Sequence, residues 1–325
     1  MRAAWYSING EACDVLQVGD LPTPEPGPGQ VRVKLKVSGV NPSDVKSRRG
    51  RPIDSDLIVP HSDGAGLIDK VGQGVSPDRL GERVWVWNGQ WRRPMGTAAE
   101  YIVLPQDQAV LLPDATDFQA GACLGIPALT ALHALELAGD IHGKTVLVIG
   151  AASSVGYYVA QLALMKGARV IGTVGSSEKA AMLKGIGVAE TINYKTEALA
   201  DRIKKMTGDR GVDVVVDMDF SSTQRLVQER AVAPHGTVVT YGSNSMDDVA
   251  IAFRDWLFQS ITLRFFLVYD LLPNDRRFAV QRLSEVLAAG KLLHNIGPSF
   301  ALEDIAKAHQ AVEAGAHGNV MVQIP

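Results

Sequence analysis

From Val31 to Val37 apolar and charged residues alternate one for one, the period of a strand with one buried face. The preceding stretch, Pro22 to Gly29, holds four prolines and two glycines and is expected to be a loop. Further short apolar runs, Gly66–Val71, Arg83–Trp87 and Glu100–Leu104, are separated by Gly, Pro and Asp, as in a barrel-like β-domain reaching to residue 123. The pattern then changes. Lys144–Ile149 is almost continuously apolar, as a parallel strand buried on both faces requires. A helix over Val155–Lys166, a strand over Arg169–Val174, a helix over Ser177–Gly185 and a strand near Glu190–Ile192 follow. The series continues with a helix over Glu197–Thr207, a strand over Val212–Met218, a helix over Thr223–Val232, and strands over Thr237–Tyr241 and Ile261–Val268. Strand alternating with helix predicts an α/β fold with a doubly wound parallel sheet. Two more helices, Asp275–Ala289 and Leu302–Ala314, and two strands, Ile296–Phe300 and Val320–Ile324, close the chain. The last strands are expected to return to the first domain. The sheet domain, 124–268, is then an insertion into a β-rich domain of 1–123 plus 269–325, with the active site in the cleft between them.

Composition narrows the function. A chain of 325 residues suits two domains, and a net charge of −3 with 21% charged residues gives no electrostatic case for nucleic acid. The basic cluster Arg48, Arg49, Arg51 reads as a solvated face. Two cysteines, Cys13 and Cys123, make neither a disulfide framework nor a four-cysteine zinc site, and both are expected to pack as small apolar residues. There is no signal-peptide h-region and no membrane span, which fits the cytoplasm.

The candidate chemistry begins where Ile149 runs into Gly150-Ala151-Ala152-Ser153-Ser154-Val155-Gly156. A tight turn between a buried strand and a helix N-terminus is the context a dinucleotide pyrophosphate needs. About 20 residues on, where an NAD site carries an acid for the ribose hydroxyl, stands Val174, followed by Ser176, Ser177 and Lys179. Hydroxyls and a cation there favour a 2′-phosphate, hence NADPH.

The run Val146–Gly156 resembles the loop G/A-x-x-G-x-x-G of the zinc-free, zeta-crystallin-like quinone oxidoreductases in the medium-chain dehydrogenase/reductase superfamily. Gly150 and Gly156 match its outer positions; Ser153 replaces the middle glycine, and the Ser153 and Ser154 hydroxyls are expected to donate to phosphate instead. Ser38-Gly-Val-Asn41-Pro42-Ser-Asp44 is similar to that family's G-V/I-N-x-x-D segment. The resemblance implies a GroES-like partly closed barrel joined to a Rossmann domain, with Asn41 facing the nicotinamide. It implies Thr130, in Gly125–Ala131, near the carboxamide, and Lys179 and Tyr194 on the adenosine phosphate. It also implies Gly242, Ser243 and Asn244 beside the nicotinamide ribose. Gly318-Asn319-Val320 resembles a segment that opens the last strand, Asn319 replacing the usual lysine at a cofactor contact.

In zinc dehydrogenases of the same superfamily a cysteine ligand lies where Asn41 is, and a histidine where Ser62 is. His61, one position off, is not expected to bind metal, and Asp63 is expected to be structural. Without a Lewis acid, reduction of an already electrophilic acceptor is the expected chemistry: a quinone, or alternatively an enone or 2-alkenal. A rival of another class is an NADPH-binding sensor or crystallin-like protein with little catalysis, which Ser153 alone favours. The Trp85–Met95 loop is expected either to shape the acceptor pocket or to bury its tryptophans. The resemblance implies a homodimer, and Ile261–Val268 is expected at the sheet edge where it would pair with a twin.

Overall fold

The computed structural model describes all 325 residues, in two units, Met1–Pro127 with Val280–Pro325 and Ala128–Ala279. The first unit opens with an antiparallel pair, β1 (Arg2–Trp5) and β2 (Gln17–Asp20), linked through the short helix α1 (Ala12–Val15). The alternating run is the centre of β3 (Gln30–Val40), where Val31, Val33, Leu35 and Val37 are buried and the residues between them are half-exposed. After it come α2 (Pro42–Gly50), β4 (Asp63–Val71), β5 (Arg83–Val86), β6 (Tyr101–Pro105), β7 (Ala109–Leu111) and α3 (Phe118–Gly121).

The second unit begins with α4 (Leu129–Ala138) and β8 (Thr145–Val148), then α5 (Ser154–Met165), β9 (Arg169–Val174), α6 (Ser177–Gly185) and β10 (Glu190–Asn193). It continues through α7 (Leu199–Thr207), β11 (Val212–Asp217), α8 (Phe220–Thr223), β12 (Val232–Thr240), α9 (Phe253–Phe258), β13 (Thr262–Phe265) and the first turns of α10 (Pro273–Ala288), which passes into the first unit at Val280. Six strands, parallel throughout, lie in the order β10-β9-β8-β11-β12-β13. That order reverses direction between β8 and β11, the point at which doubly wound sheets bind ligands beyond their strand ends. β13 is an edge strand.

The chain ends in the first unit with β14 (Ile296–Ala301), α11 (Ile305–Glu313) and β15 (Asn319–Gln323), where β15 runs antiparallel to β3. The first unit's larger sheet is ordered β14-β15-β3-β4-β5-β7, with β6 also on β3, around a core that includes Val33, Ile68, Ile102 and Val322.

Three expectations need correction. No helix spans Thr223–Val232: α8 ends at Thr223, a 3-10 turn covers Gln224–Leu226, and Val232 already pairs with Val212 as the start of β12. Leu226, Val227 and Ala231 are buried under the sheet, so packing overrides the local helical pattern. Arg48 is fully buried rather than solvated, because α2 presses that face on α11, where its guanidinium pairs with Glu313. Cys13 is exposed, since Ala12 and Val15 take the buried face of α1. Trp85 belongs to β5 and is fully buried, while Trp87 and Trp91 in the following loop are half-buried.

Candidate functional site

The loop after β8 is built for close backbone approach. Gly150 has φ +66°, and a Cβ there would overlap Met218 Sδ. Its N–H donates to Thr173 Oγ1 at 2.8 Å, and Ala151 N donates to the Thr173 carbonyl at 3.1 Å, tying the loop to β9. A Cβ on Gly156 would run into the Gly150 carbonyl, so the first turn of α5 lies directly on the loop. Ser153 is the N-cap of α5: its φ of −78° needs no glycine, and its Oγ accepts from Gly156 N at 3.1 Å. The Ser153 oxygen thus accepts as a helix cap while its O–H is left to donate, and the N–H groups of Ser154 and Val155 are the ones a helix start leaves for an anion. A cradle that a Cβ would fill, opening on a 12-residue helix, fits a dinucleotide pyrophosphate.

Next to this cradle β9 ends in buried Val174. Ser176 caps α6, its Oγ accepting from Lys179 N at 3.4 Å; Lys179 is half-exposed and Ser177 exposed. Ser177 Oγ donates to Glu178, an acid that the sequence reading passed over. Tyr194, 55% exposed after β10, donates its N–H to the Val174 carbonyl at 3.1 Å. Its phenol oxygen lies 2.9 Å from where a Gly175 Cβ would stand, so the ring closes over the end of β9. Tyr194 and Lys195 therefore close over Gly175 at this exit from the sheet, and Ser176 and Lys179 stand at the start of α6 that follows it.

Beyond β12, the Gly242 carbonyl accepts from Phe220 N at 3.1 Å, and Ser243 Oγ donates to the Ser245 carbonyl at 2.9 Å. Asn244 donates to Asp219 through its backbone N–H at 2.9 Å and its amide at 2.8 Å. Burial works against ionisation of Asp219, but hydrogen bonds from Ser221, Ser222 and Asn244 outweigh it and hold the carboxyl below its usual range. Asp217, just before it, is pushed up to about 6 by burial, against the Thr223 hydroxyl and the Asp219 N–H. Neither acid was singled out from sequence, although both stand where an apolar strand stops. Thr130 is buried on α4 in this same unit.

The remaining candidates lie in the first unit. Asn41 is the N-cap of α2 and is followed by Pro42. Its N–H donates to Asp44 Oδ2 at 2.7 Å, and its amide Nδ2 donates to Asp63 Oδ2 at 2.9 Å, all three side chains being buried. β15 pairs Val320 with Val40, so Asn319 comes beside Asn41, with its amide donated to the Asn295 carbonyl at 2.9 Å. Burial raises the Asp63 carboxyl well above the usual range, opposed by Asn41 and reinforced by Asp44. Burial likewise brings Asp44 up to about 7, with the Asn41 hydrogen bonds working against it.

His61 is not available as a ligand: Nδ1 is 2.9 Å from Ser38 Oγ, and Nε2 is 2.9 Å from His309 Nε2. Ser38 Oγ is 2.8 Å from Thr97 Oγ1, which donates to the Asp63 carbonyl at 2.6 Å. Burial, reinforced by His309, holds His61 well below the imidazole range; burial and the Arg48 charge bring His309 to about 3. Both rings are neutral, so one Nε2 donates and the other accepts. No group of three or more His, Cys, Asp or Glu side chains is placed to hold a metal ion.

Residues 27–114 match the profile of the alcohol dehydrogenase GroES-like domain, and residues 154–285 that of the zinc-binding dehydrogenases. The quinone oxidoreductase of Sus scrofa is 30% identical over 309 residues, 93% of this chain and 92% of that protein. A solved NAD-dependent alcohol dehydrogenase superposes with a TM-score of 0.88 at 29% identity, covering 100% of both chains. A mycobacterial protein solved with NADPH superposes with a TM-score of 0.86 at 26% identity, covering 99% of this chain and 100% of the other.

Proposed function

The chain belongs to the quinone oxidoreductase family of the medium-chain dehydrogenases/reductases, NAD(P)H-dependent oxidoreductases with a GroES-like and a Rossmann-type unit; from that premise we propose that it reduces a quinone with NADPH and without a metal ion. The observation that carries the cofactor choice is the end of β9: buried Val174 in place of a carboxylate, Tyr194 and Lys195 over the adjoining Gly175, and Ser176 and Lys179 at the start of α6. The mycobacterial NADPH complex supports the same choice. When bound, the reduced nicotinamide supplies hydride to an electrophilic carbon.

Everything else falls to this chain's own groups. Gly150 to Gly156 would take the pyrophosphate on backbone N–H groups at the start of α5. The Gly242–Asn244 loop, braced by Asp219, would take the ribose nearer the reacting end, and Thr130 the carboxamide. Asn41 is held by Asp63 in one rotamer, which removes the entropy of finding it. Burial holds the Asp63 carboxyl well above its usual range and brings Asp44 up to about 7, so negative charge beside Asn41, where charge would develop on the acceptor oxygen, is disfavoured.

The sensor alternative loses its main support, because Ser153 fits the loop as a cap without displacing it. No helix is long and apolar enough to cross a membrane. A homodimer is part of the proposal: edge strand β13 and nearby α9 expose Phe265, Phe253, Leu257 and Phe258.

The test is NADPH and NADH oxidation followed by absorbance with a benzoquinone, a phenanthrenequinone and a short 2-alkenal. A kcat/KM for NADPH at least about tenfold above NADH, with a quinone preferred, is expected. Preference for the alkenal moves the assignment to double-bond reduction. Silence on all three with NADPH still bound refutes the enzyme.

A further inference from the structure

The loop after β5 and the segment after α2 together enclose a cavity of about 290 Å³ in the first unit, lined among others by Tyr6, Ser47, Arg51, Asp54, Trp91 and Arg93. Its lining is lopsided in charge: Arg51, Arg92 and Arg93 against one acid, Asp54, with Asp44 acting on Arg51 and Asp107 on Arg93 from outside the lining. Arg51 stacks on the Trp91 ring at 5.3 Å, an arrangement that fixes the guanidinium plane while leaving its N–H edge for a ligand. Arg93 is more unusual. It is half-buried, its guanidinium donates to the Gln108 side chain, and burial pulls its pKa down with only the charge of Asp107 opposing. A desolvated cation with so little compensation gains from an anion brought to it. Tyr6, pushed up to about 12 chiefly by burial, keeps its phenolic proton and is a further donor in the lining.

The cavity is also tied to the reacting end. Asn41 caps the start of α2, Ser47 on that helix lines the cavity, and Arg51 caps its end. At ~1.5 Å per residue, Ser47 is roughly 9 Å and Arg51 roughly 15 Å along the axis from Asn41. We propose that this cavity is a subsite for a carboxylate carried by the acceptor roughly 10 Å from its reducible group, with Arg93 and Arg51 taking the charge and Trp91 and Tyr6 the apolar arm. The link to an acceptor rests on the reductase assignment above; the anion preference of the cavity does not.

Two measurements separate these. Calorimetric titration of the intact protein with 4-butylbenzoate and with 4-butylbenzamide reads the cavity alone. The benzoate is expected to bind about tenfold tighter, Arg93→Gln and Arg51→Gln each to remove most of that preference, Arg93→Lys to keep part of it, and added salt to narrow it. Equal binding of the two probes, or a preference that survives both glutamine variants, overturns the proposal. If Arg93→Gln fails to fold, Arg51→Gln at the exposed rim and the salt titration of the native protein decide. The second measurement compares KM for a benzoquinone bearing a carboxypentyl chain with KM for its methylamide. A lower KM for the acid, lost in the same variants, is expected. Anion preference in calorimetry with no quinone turnover refutes the reductase but keeps the cavity; turnover of both quinones at equal KM, with equal probe binding, does the reverse.

Discussion

Replacing Asp44 by Asn should stabilise the protein, and only above acidic pH. Asp44 is buried beside Asn41, and burial raises its carboxyl from 3.8 to about 7. Between those values the folded protein holds a proton that the unfolded chain has released. Stability contributed by this group is therefore present below about pH 4, drains as pH rises toward 7, and stays lost above. A shift of about three pH units at ~1.4 kcal/mol each sets a ceiling of ~4 kcal/mol. Asparagine keeps an oxygen for the Asn41 N–H, which Asp44 accepts at 2.7 Å, but places an amide NH2 where the second carboxyl oxygen was. One imperfectly paired buried donor costs ~1 kcal/mol or more, leaving an expected net gain of ~2–3 kcal/mol. Asp63 adds to it, because removing Asp44's charge relieves one cause of its own raised pKa. Urea unfolding of both proteins at intervals from about pH 4 to 8.5 measures the difference. By the same reckoning the variant should be ~1 kcal/mol less stable at the acid end, with the difference changing sign as pH rises and reaching its plateau around neutrality. A difference flat with pH, or an Asp44→Asn protein less stable at pH 8.5, would refute the argument that the ionised carboxyl is poorly accommodated.

Three further outcomes are expected. Gly156→Ala, whose Cβ would meet the Gly150 carbonyl, should weaken NADPH at least about tenfold and cost ~1–3 kcal/mol of stability, measured by nucleotide fluorescence titration and urea unfolding. Gly185→Ala, in α6 with nothing within 4 Å of its added carbon, is the control: NADPH affinity should not change and stability should rise by ~0.4–1 kcal/mol. Lys179→Gln should lower the NADPH-to-NADH ratio of kcat/KM by about tenfold, through loss of a charge-assisted contact worth ~1.5–3 kcal/mol at most; an unchanged ratio removes Lys179 from the phosphate site. His309 is brought from 6.5 to about 3 by burial and by Arg48, so it is neutral when folded and the unfolded chain takes up the proton first. Stability is therefore lost as pH falls from 6.5 toward 3, and His309→Gln should lose less between pH 7 and pH 5 than the native protein does, by up to ~1.4 kcal/mol per pH unit. Equal acid slopes in the two proteins would show that the histidine pair is not what the acid limb reports.

The parallel sheet and the glycine-bearing loop after β8 were legible in the chain because their signals are local. A strand buried on both faces must be apolar throughout, as Lys144–Ile149 nearly is, and a turn at φ +66° next to a helix start demands Gly150. The serine in place of the middle glycine was legible as a departure, but not its consequence: that Ser153 Oγ accepts from Gly156 N and caps α5 depends on the geometry of the turn. Spacing alone drew attention to Val174, Ser176 and Lys179, while the closure of Tyr194 over Gly175 needed the pairing of β10 with β9. Other features were settled only in three dimensions. The Thr223–Val232 stretch was drawn into a turn and β12 by strand pairing and burial, against its helical pattern. Arg48 looked like one of three surface arginines until α11 covered it, and His61 looked solitary until His309, 248 positions away in the chain, supplied its partner. Periodicity and turn chemistry act over a few residues and are written in sequence; which distant side chains desolvate one another is set by how the strands and helices stack, and that desolvation gives Asp44, Asp63 and Arg93 their altered protonation behaviour.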